Sequence, residues 1–163
     1  MRNKFGFSLM ELTVVIAVGA IISAIAVPSV INWRGKAKMR EAISTLRNDL
    51  ELAKVRAIQE NDFVVIKFSE NSYLIFVDSG DAGGAGAHNL SHNSGEKRLR
   101  RRQLPAGVKI DLAQTSFNGG NITRFTGRGR IDTERMGKVV LISSNGIQRE
   151  ILMNNRFGRI DIN

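Results

Sequence analysis

The stretch GFSLMELTVVIAVGAIISAIAVPSVI, residues 6–31, decides how the rest of the chain is read. From Leu12 to Trp33 no side chain carries a charge, and residues 12–31 supply 20 positions that are nearly all apolar or small. As an α-helix such a run spans a bilayer core, which takes about 20 apolar residues. Pro28, near its far end, is tolerated there as a kink. A secretory signal with its basic start at Met1-Arg2-Asn3-Lys4 and a cut after Ala24-Ile25-Ala26 fits part of this pattern, and a plain signal anchor fits its length. Neither explains Glu11. A carboxylate in an apolar helix costs about 2.5–3.5 kcal/mol at the bilayer centre, so it needs a partner.

Beyond Trp33 the helix continues. Met39, Ile43, Leu46, Leu50, Ala53 and Ala57 are spaced 4, 3, 4, 3 and 4 apart, which places them on one helical face. The positions around them, including Arg40, Glu41, Arg47, Asp49, Glu51 and Lys54, are charged and are assigned to the solvent side. Only about three heptads are present, so the face is expected to lie on a core and not in a coiled coil. Asn61 and Asp62 end the pattern.

From Phe63 the period changes to that of strands. Residues 63–68 (FVVIKF) and 73–77 (YLIFV) are rich in β-branched and aromatic side chains and flank a polar turn, which reads as a hairpin. Residues 78–95 form a loop of Gly, Ala, Ser, His and Asn. Further strands are expected at 108–112, 122–125, 138–143, 147–153 and 159–162, with turn signals at Asn118-Gly119-Gly120 and Asn145-Gly146. The fold class is therefore α+β: one long N-terminal helix followed only by antiparallel strands.

Charge divides the chain unevenly. Of a net +9, residues 1–95 carry 10 basic and 9 acidic side chains, and residues 96–163 carry 14 basic and 6 acidic. The excess belongs to the β-rich part, in two clusters. Lys97, Arg98, Arg100, Arg101 and Arg102 form one; Arg124, Arg128, Arg130 and Arg135 form the other. Arginines on glycine-rich loops suit phosphate contacts without sequence readout. Few aromatics interleave them, which argues against stacking on single strands.

The order Lys4-Phe5-Gly6-Phe7-Ser8-Leu9-Met10-Glu11 resembles the type IV prepilin processing motif. There a dedicated peptidase cuts after a glycine, the next residue becomes an N-methylated terminus, and a Glu stands five residues after the glycine. The resemblance implies cleavage after Gly6, N-methylation of Phe7, and a filament-assembly role for Glu11. Once cut, Phe7 would carry a cationic amine. In a bundle of such helices the Glu11 carboxylate of one subunit can meet the amine of its neighbour, where low dielectric strengthens the contact and a wrong register leaves a bare charge. The implied organisation is a leader at 1–6, a transmembrane and assembly helix at 7–33, a periplasmic amphipathic helix at 34–62 and a β-rich domain at 63–163. Arg34, Lys36, Lys38 and Arg40 follow the span, against Arg2 and Lys4 before it. A strict positive-inside count would thus put the C-terminal side in the cytoplasm, whereas the resemblance puts it in the periplasm.

A second resemblance runs over most of residues 39–163. The helix AISTLRNDLELAKVRAIQEN followed by FVVIKF, the Leu104-Pro105-Ala106-Gly107-Val108 corner, residues 122–127 with their Phe-x-Gly, and the closing Gly158-Arg159 are similar to the H-type minor pseudopilins, whose domain is shared with FimT-like minor pilins. This GspH/FimT-like resemblance implies a pilin-like fold and a non-enzymatic tip subunit of a type II secretion pseudopilus. Its partners would be other pseudopilins in a hetero-oligomeric tip, the prepilin peptidase and the inner membrane. The alternative it carries is a minor type IV pilin that binds DNA for uptake through Arg98, Arg100, Arg101, Arg102, Arg128 and Arg130. FimT-like pilins place a GRxR motif near the C-terminus. Here the tail reads Gly158-Arg159-Ile160-Asp161, and the GRGR letters stand earlier, at residues 127–130.

Other chemistries find little support. With no cysteine, thiol catalysis and Cys-ligated zinc are excluded. His88 and His92 are spaced i, i+4 but sit in a glycine-bracketed stretch with no third ligand, so they read as solvated. Asp78, Asp81 and Glu96 flank the glycine-rich loop without full calcium-loop spacing and read as flexible polar groups. No GxSxG, HExxH or phosphate-loop pattern appears, and neither a cofactor nor a metal is expected.

Overall fold

The computed structural model of the chain describes residues 8–79, 89–92, 95–117, 120–132, 136–153 and 158–163. Its first element is a single helix, α1 (Leu9–Glu60), uninterrupted at position 28. Ser8 precedes it in an extended conformation and Glu11 stands in its first turn, where the helix dipole favours a negative charge. It ends at Asn61, which adopts φ 51°, ψ 36°, a left-handed conformation that Asn tolerates better than most residues. The amides of Asn61 and Asp62 bond back to the carbonyls of Ile58 and Ala57.

The two halves of α1 have opposite surroundings. Up to Ile31 every described large apolar side chain is exposed, Ile25 to 75%. From Met39 onward the predicted face is inside: Met39, Ile43, Leu46, Leu50, Ala53 and Ala57 are all buried. At about 1.5–3 kcal/mol for each large apolar side chain, the four biggest contribute roughly 6–12 kcal/mol before the entropy of ordering is subtracted.

That face packs on two antiparallel sheets. The first has the order β3 (Arg98–Gln103), β2 (Ser72–Asp78), β1 (Phe63–Ser69), β6 (Ile122–Phe125). The second runs β4 (Val108–Ile110), β7 (Gly137–Ser143), β8 (Gln148–Met153), β9 (Asp161–Ile162), with the two-residue β5 (Ser116–Phe117) also pairing β7. In the first sheet Val64 opposes both Val77 and Phe125, Ile66 opposes Ile75, and Phe68 opposes Tyr73. These side chains form the layer beneath the helix, joined from the second sheet by Val139, Leu141, Ile151 and Met153. The hairpin at 63–77 and the later strands stand close to where the sequence placed them.

Two expectations are corrected. Residues 98–102, expected as part of a flexible basic loop, form edge strand β3. The sequence hid it because a strand at a sheet edge with charged side chains lacks apolar alternation. Asp49, assigned to the solvent side of the helix, is 5% exposed. It lies three residues after Leu46 and four before Ala53, at the margin of the buried face, where β3 reaches round to cover it.

Candidate functional site

Of the residues that a prepilin motif would use, Gly6 and Phe7 lie outside the described residues. Glu11 is exposed, at the head of an apolar helical surface that, among the described residues, nothing covers from Leu9 to Ile31. A surface of this kind is soluble only in lipid or against other apolar helices.

The basic run on β3 is split by strand register. Arg102 pairs with Tyr73 and Arg100 with Ile75, so both lie on the sheet face that meets the helix. There Arg102 Nε donates to Asp49 Oδ2 at 3.1 Å, and Arg100 Nε stands 4.0 Å from Oδ1. The Tyr73 hydroxyl donates to the same Asp49 Oδ2 at 2.7 Å. Burial, then the bond to Asp49, pushes the Tyr73 phenol well above its usual range; the Asp49 bond likewise raises Arg102. Arg102 thus clamps the edge strand to α1, with the half-exposed Arg100 beside it.

Arg98 and Arg101 go the other way. Three apart, they would point to opposite faces of a regular strand, but the register shifts between Ile75 and Phe76, opposite Leu99. That bulge re-phases the strand, so Arg98, opposite Phe76, joins Arg101, opposite Leu74, on the outer face. Lys67 lies in the same row as Arg101, since Leu74 pairs with both. These three cations, His92 and the Ser69 and Ser72 positions surround a cavity of about 360 Å³. Among the described residues Lys67, Arg98 and Arg101 form no ion pair. Lys97 is committed elsewhere, to Glu60 at 2.6 Å, which holds that carboxyl below its usual range.

The second cluster is shaped by glycines. Residues 126–130 form the tip of a hairpin: Gly129 N bonds to Thr126 O and Thr126 N to Arg130 O, both at 2.8 Å. A side chain at Gly127 would meet the Asn61 backbone at 2.7 Å, and one at Gly129 (φ 69°) would meet Ile58 Cδ1 at the same distance. The tip is therefore pressed onto the C-terminus of α1, with Arg128 and Arg130 left exposed beside a groove of about 510 Å³. Gly158, also left-handed at φ 70°, abuts the Gly129 carbonyl, and Lys54 Nζ donates to Gly158 O at 3.0 Å. The GRGR turn and the terminal Gly-Arg turn, 30 residues apart in sequence, are neighbours in space. Arg159 is paired with Asp161 at 2.6 Å, and Arg124 with Asp132 at 2.6 Å while lying 4.3 Å over the Phe63 ring. Arg135 lies outside the described residues.

The loop carboxylates differ from expectation. Asp78 is fully buried and Glu96 is 6% exposed, because strand pairing extends to this point and the chain around residues 90–92 folds back over the sheet. Leu90 N donates to Asp78 Oδ2 at 3.0 Å, and His92 packs edge-on against Phe76 at 5.3 Å. Asp81 and His88 lie outside the described residues. Among the described residues no group of three or more His, Cys, Asp or Glu is placed to hold a metal ion.

A bare apolar half-helix running without a break into a half that carries two antiparallel sheets defines a pilin-like subunit. A family model for the type II transport protein GspH matches residues 42–156, so the chain belongs to the GspH family. A model for the prokaryotic N-terminal methylation motif matches residues 1–27. Among solved structures, the type IV minor pilin FimU of Pseudomonas aeruginosa is similar, at 15% identity and a TM-score of 0.58, over 80% of this chain and 92% of that one. GspH of E. coli is similar at 16% identity and a TM-score of 0.54, over 78% of this chain and 88% of that one. At such identities these two likenesses bear on the fold alone. No curated protein gives a significant sequence match. The methylation motif and the uncovered apolar helix together mark a membrane anchor.

Proposed function

We propose that the protein is a minor pseudopilin, a structural tip subunit of a type II secretion pseudopilus. The precursor is cut after Gly6 by a prepilin peptidase, Phe7 is N-methylated, and the mature chain waits in the inner membrane as a single-pass protein with its β-rich domain in the periplasm. The observation that carries this reading is the uncovered apolar half of α1 headed by the lone carboxylate of Glu11 and continuous with the packed half. Extracted from the bilayer, that surface would be buried by the corresponding helices of other subunits, and Glu11 would select the register in which a neighbour's amine neutralises it. Glu11→Gln should leave cleavage intact and abolish entry into the filament, measured by crosslinking to the other subunits. Deletion in the native host should stop protein secretion. Loss of twitching or transformation with secretion unchanged would assign the chain to a pilus.

A second reading, DNA uptake through the arginines, has two observations in its favour. Arg98 and Arg101 share an outer face with Lys67, and Arg128 and Arg130 project from a tip locked by glycines. Arg102, bonded to Asp49, and Arg100, 4.0 Å from the same carboxylate, are drawn toward the helix and favour this reading less.

A further inference from the structure

The cations that follow the span are the least explained feature of the sequence. The apolar run of about 20 residues ends at Ile31 and, as a helix, covers about 30 Å, the thickness of a bilayer core. Trp33 stands two residues on, 64% exposed, an amphipathic ring suited to the membrane interface. Val27, Ile31, Arg34 and Lys38 are spaced 4, 3 and 4 apart and so line one face of the helix, apolar below and cationic above. Against the upper part of that face lie two turns of the second sheet. Lys38 Nζ donates to Ala106 O at 3.0 Å, and Ser144 N bonds to Gly107 O at 2.7 Å, which ties the turns together. Gly35 lets Asn145 come close: a side chain there would meet Asn145 Nδ2 at 2.5 Å.

Between helix and turns is a cavity of about 240 Å³. Ile31 forms its lower edge, Arg34 and Lys38 one wall, Ser144 and Asn145 the other. Its lining has two cations, hydroxyl and amide donors and no carboxylate, and among the described residues Arg34 and Lys38 form no ion pair. We propose that this cavity is a binding site for the phosphate of an anionic phospholipid, whose acyl chains run down the helix over Ile31 and Val27. The position fits. Arg34 stands about 4.5 Å above Ile31 along the axis, within the headgroup layer of roughly 5–7 Å per leaflet, and the long Lys38 side chain reaches toward it from the next turn. A soluble anion would satisfy the two cations but make no use of Val27 and Ile31, both more than half exposed. The site also gives the basic residues beyond the span a role that does not depend on which side of the membrane they face.

The inference rests on reading residues 12–31 as a span, and the test separates the two. The full chain is reconstituted in nanodiscs of phosphatidylcholine alone or mixed with phosphatidylglycerol, and lipids retained after release are counted by native mass spectrometry. The expected result is selective retention of phosphatidylglycerol. It should fall roughly 30-fold in the Arg34→Gln/Lys38→Gln variant, at the usual strength of two juxtamembrane cations. Lys36→Gln/Arg40→Gln removes the same charge from outside the cavity and should keep the preference. Excess inorganic phosphate should not displace the lipid. Equal retention of both lipids by the parent chain, an equal loss in the two variants, or displacement by phosphate would overturn the site. Failure to insert into phosphatidylcholine discs would overturn the span itself, and the site with it.

Discussion

Asp49→Ala is the perturbation that probes the joint between helix and edge strand most sharply. Asp49 is 5% exposed and accepts from two side chains, the Tyr73 hydroxyl at 2.7 Å and Arg102 Nε at 3.1 Å. Removing it leaves the hydroxyl of a residue only 1% exposed without its acceptor, a cost of about 1–3 kcal/mol. Arg102 is 43% exposed on its side chain and can turn to water, so its loss adds at most about 1 kcal/mol. A total of roughly 1–4 kcal/mol corresponds to about 3–15 °C in the melting temperature of a domain this size. Differential scanning calorimetry of the full chain in detergent measures it. Arg102→Gln should lose only a degree or two, and Tyr73→Phe an intermediate amount. The Asp49→Ala/Tyr73→Phe double variant should be less destabilised than the two single losses summed, by about 1–2 kcal/mol of coupling. A melting temperature for Asp49→Ala within about 2 °C of the parent would mean that Asp49 is solvated and that β3 is not clamped to α1 as described.

The remaining predictions concern turns, pH and charge. Gly158→Ala puts a side chain into a left-handed backbone against the Gly129 carbonyl, and should cost about 2–3 kcal/mol, read as a lowered urea midpoint; Gly146→Ala, equally left-handed at φ 75° but with open space around it, should cost about 1 kcal/mol. On the alkaline side, Tyr73 keeps its proton to higher pH folded than unfolded, so the unfolded chain holds fewer protons above about pH 10 and stability should fall as pH rises through that point, a slope lost in Tyr73→Phe. On the acid side, Lys97 lowers the Glu60 pKa and Lys138 that of Glu150. The unfolded chain therefore takes up protons first, and stability should decline as pH drops below about 4.5, less so in Glu60→Gln. If DNA binding is present and uses Arg98, Arg101, Arg128 and Arg130, the logarithm of affinity should fall with that of salt at a slope of about −3 to −4. Neutralising Arg98 and Arg101 should halve it, whereas neutralising Arg100 and Arg102 should leave it unchanged.

The elements legible in the sequence are those whose side chains repeat. The spacing of Met39, Ile43, Leu46, Leu50, Ala53 and Ala57 identified the buried face of α1 because helix geometry converts a 3.6-residue period into a stripe whatever it packs against. The alternation of 63–68 and 73–77 did the same for the hairpin. What could not be read depends on partners distant in the chain. β3 is a strand because β2 offers it an edge, and its own residues, five of them polar or charged, give no period-2 signal. Which arginines face outward was set by one bulge, and no spacing rule forecasts where a ladder slips. Asp49 did carry a signal, a carboxylate bordering the buried stripe, but only the Tyr73 hydroxyl and the Arg102 guanidinium reaching it from the sheet make its burial tolerable. The meeting of the GRGR turn with the terminal Gly-Arg turn is likewise a product of topology. The candidate processing residues are the reverse case: Gly6 and Phe7 are marked by their order in the sequence.

The account turns on that order being used. Intact-mass and fragment-ion mass spectrometry of the protein purified from membranes of its native host tests this most directly. The predicted result is a mature chain beginning at Phe7, one methyl group heavier than its sequence. A chain still carrying Met1–Gly6, or one beginning at Val27, would contradict the assignment of residues 7–31 as the anchored assembly helix of a pseudopilin.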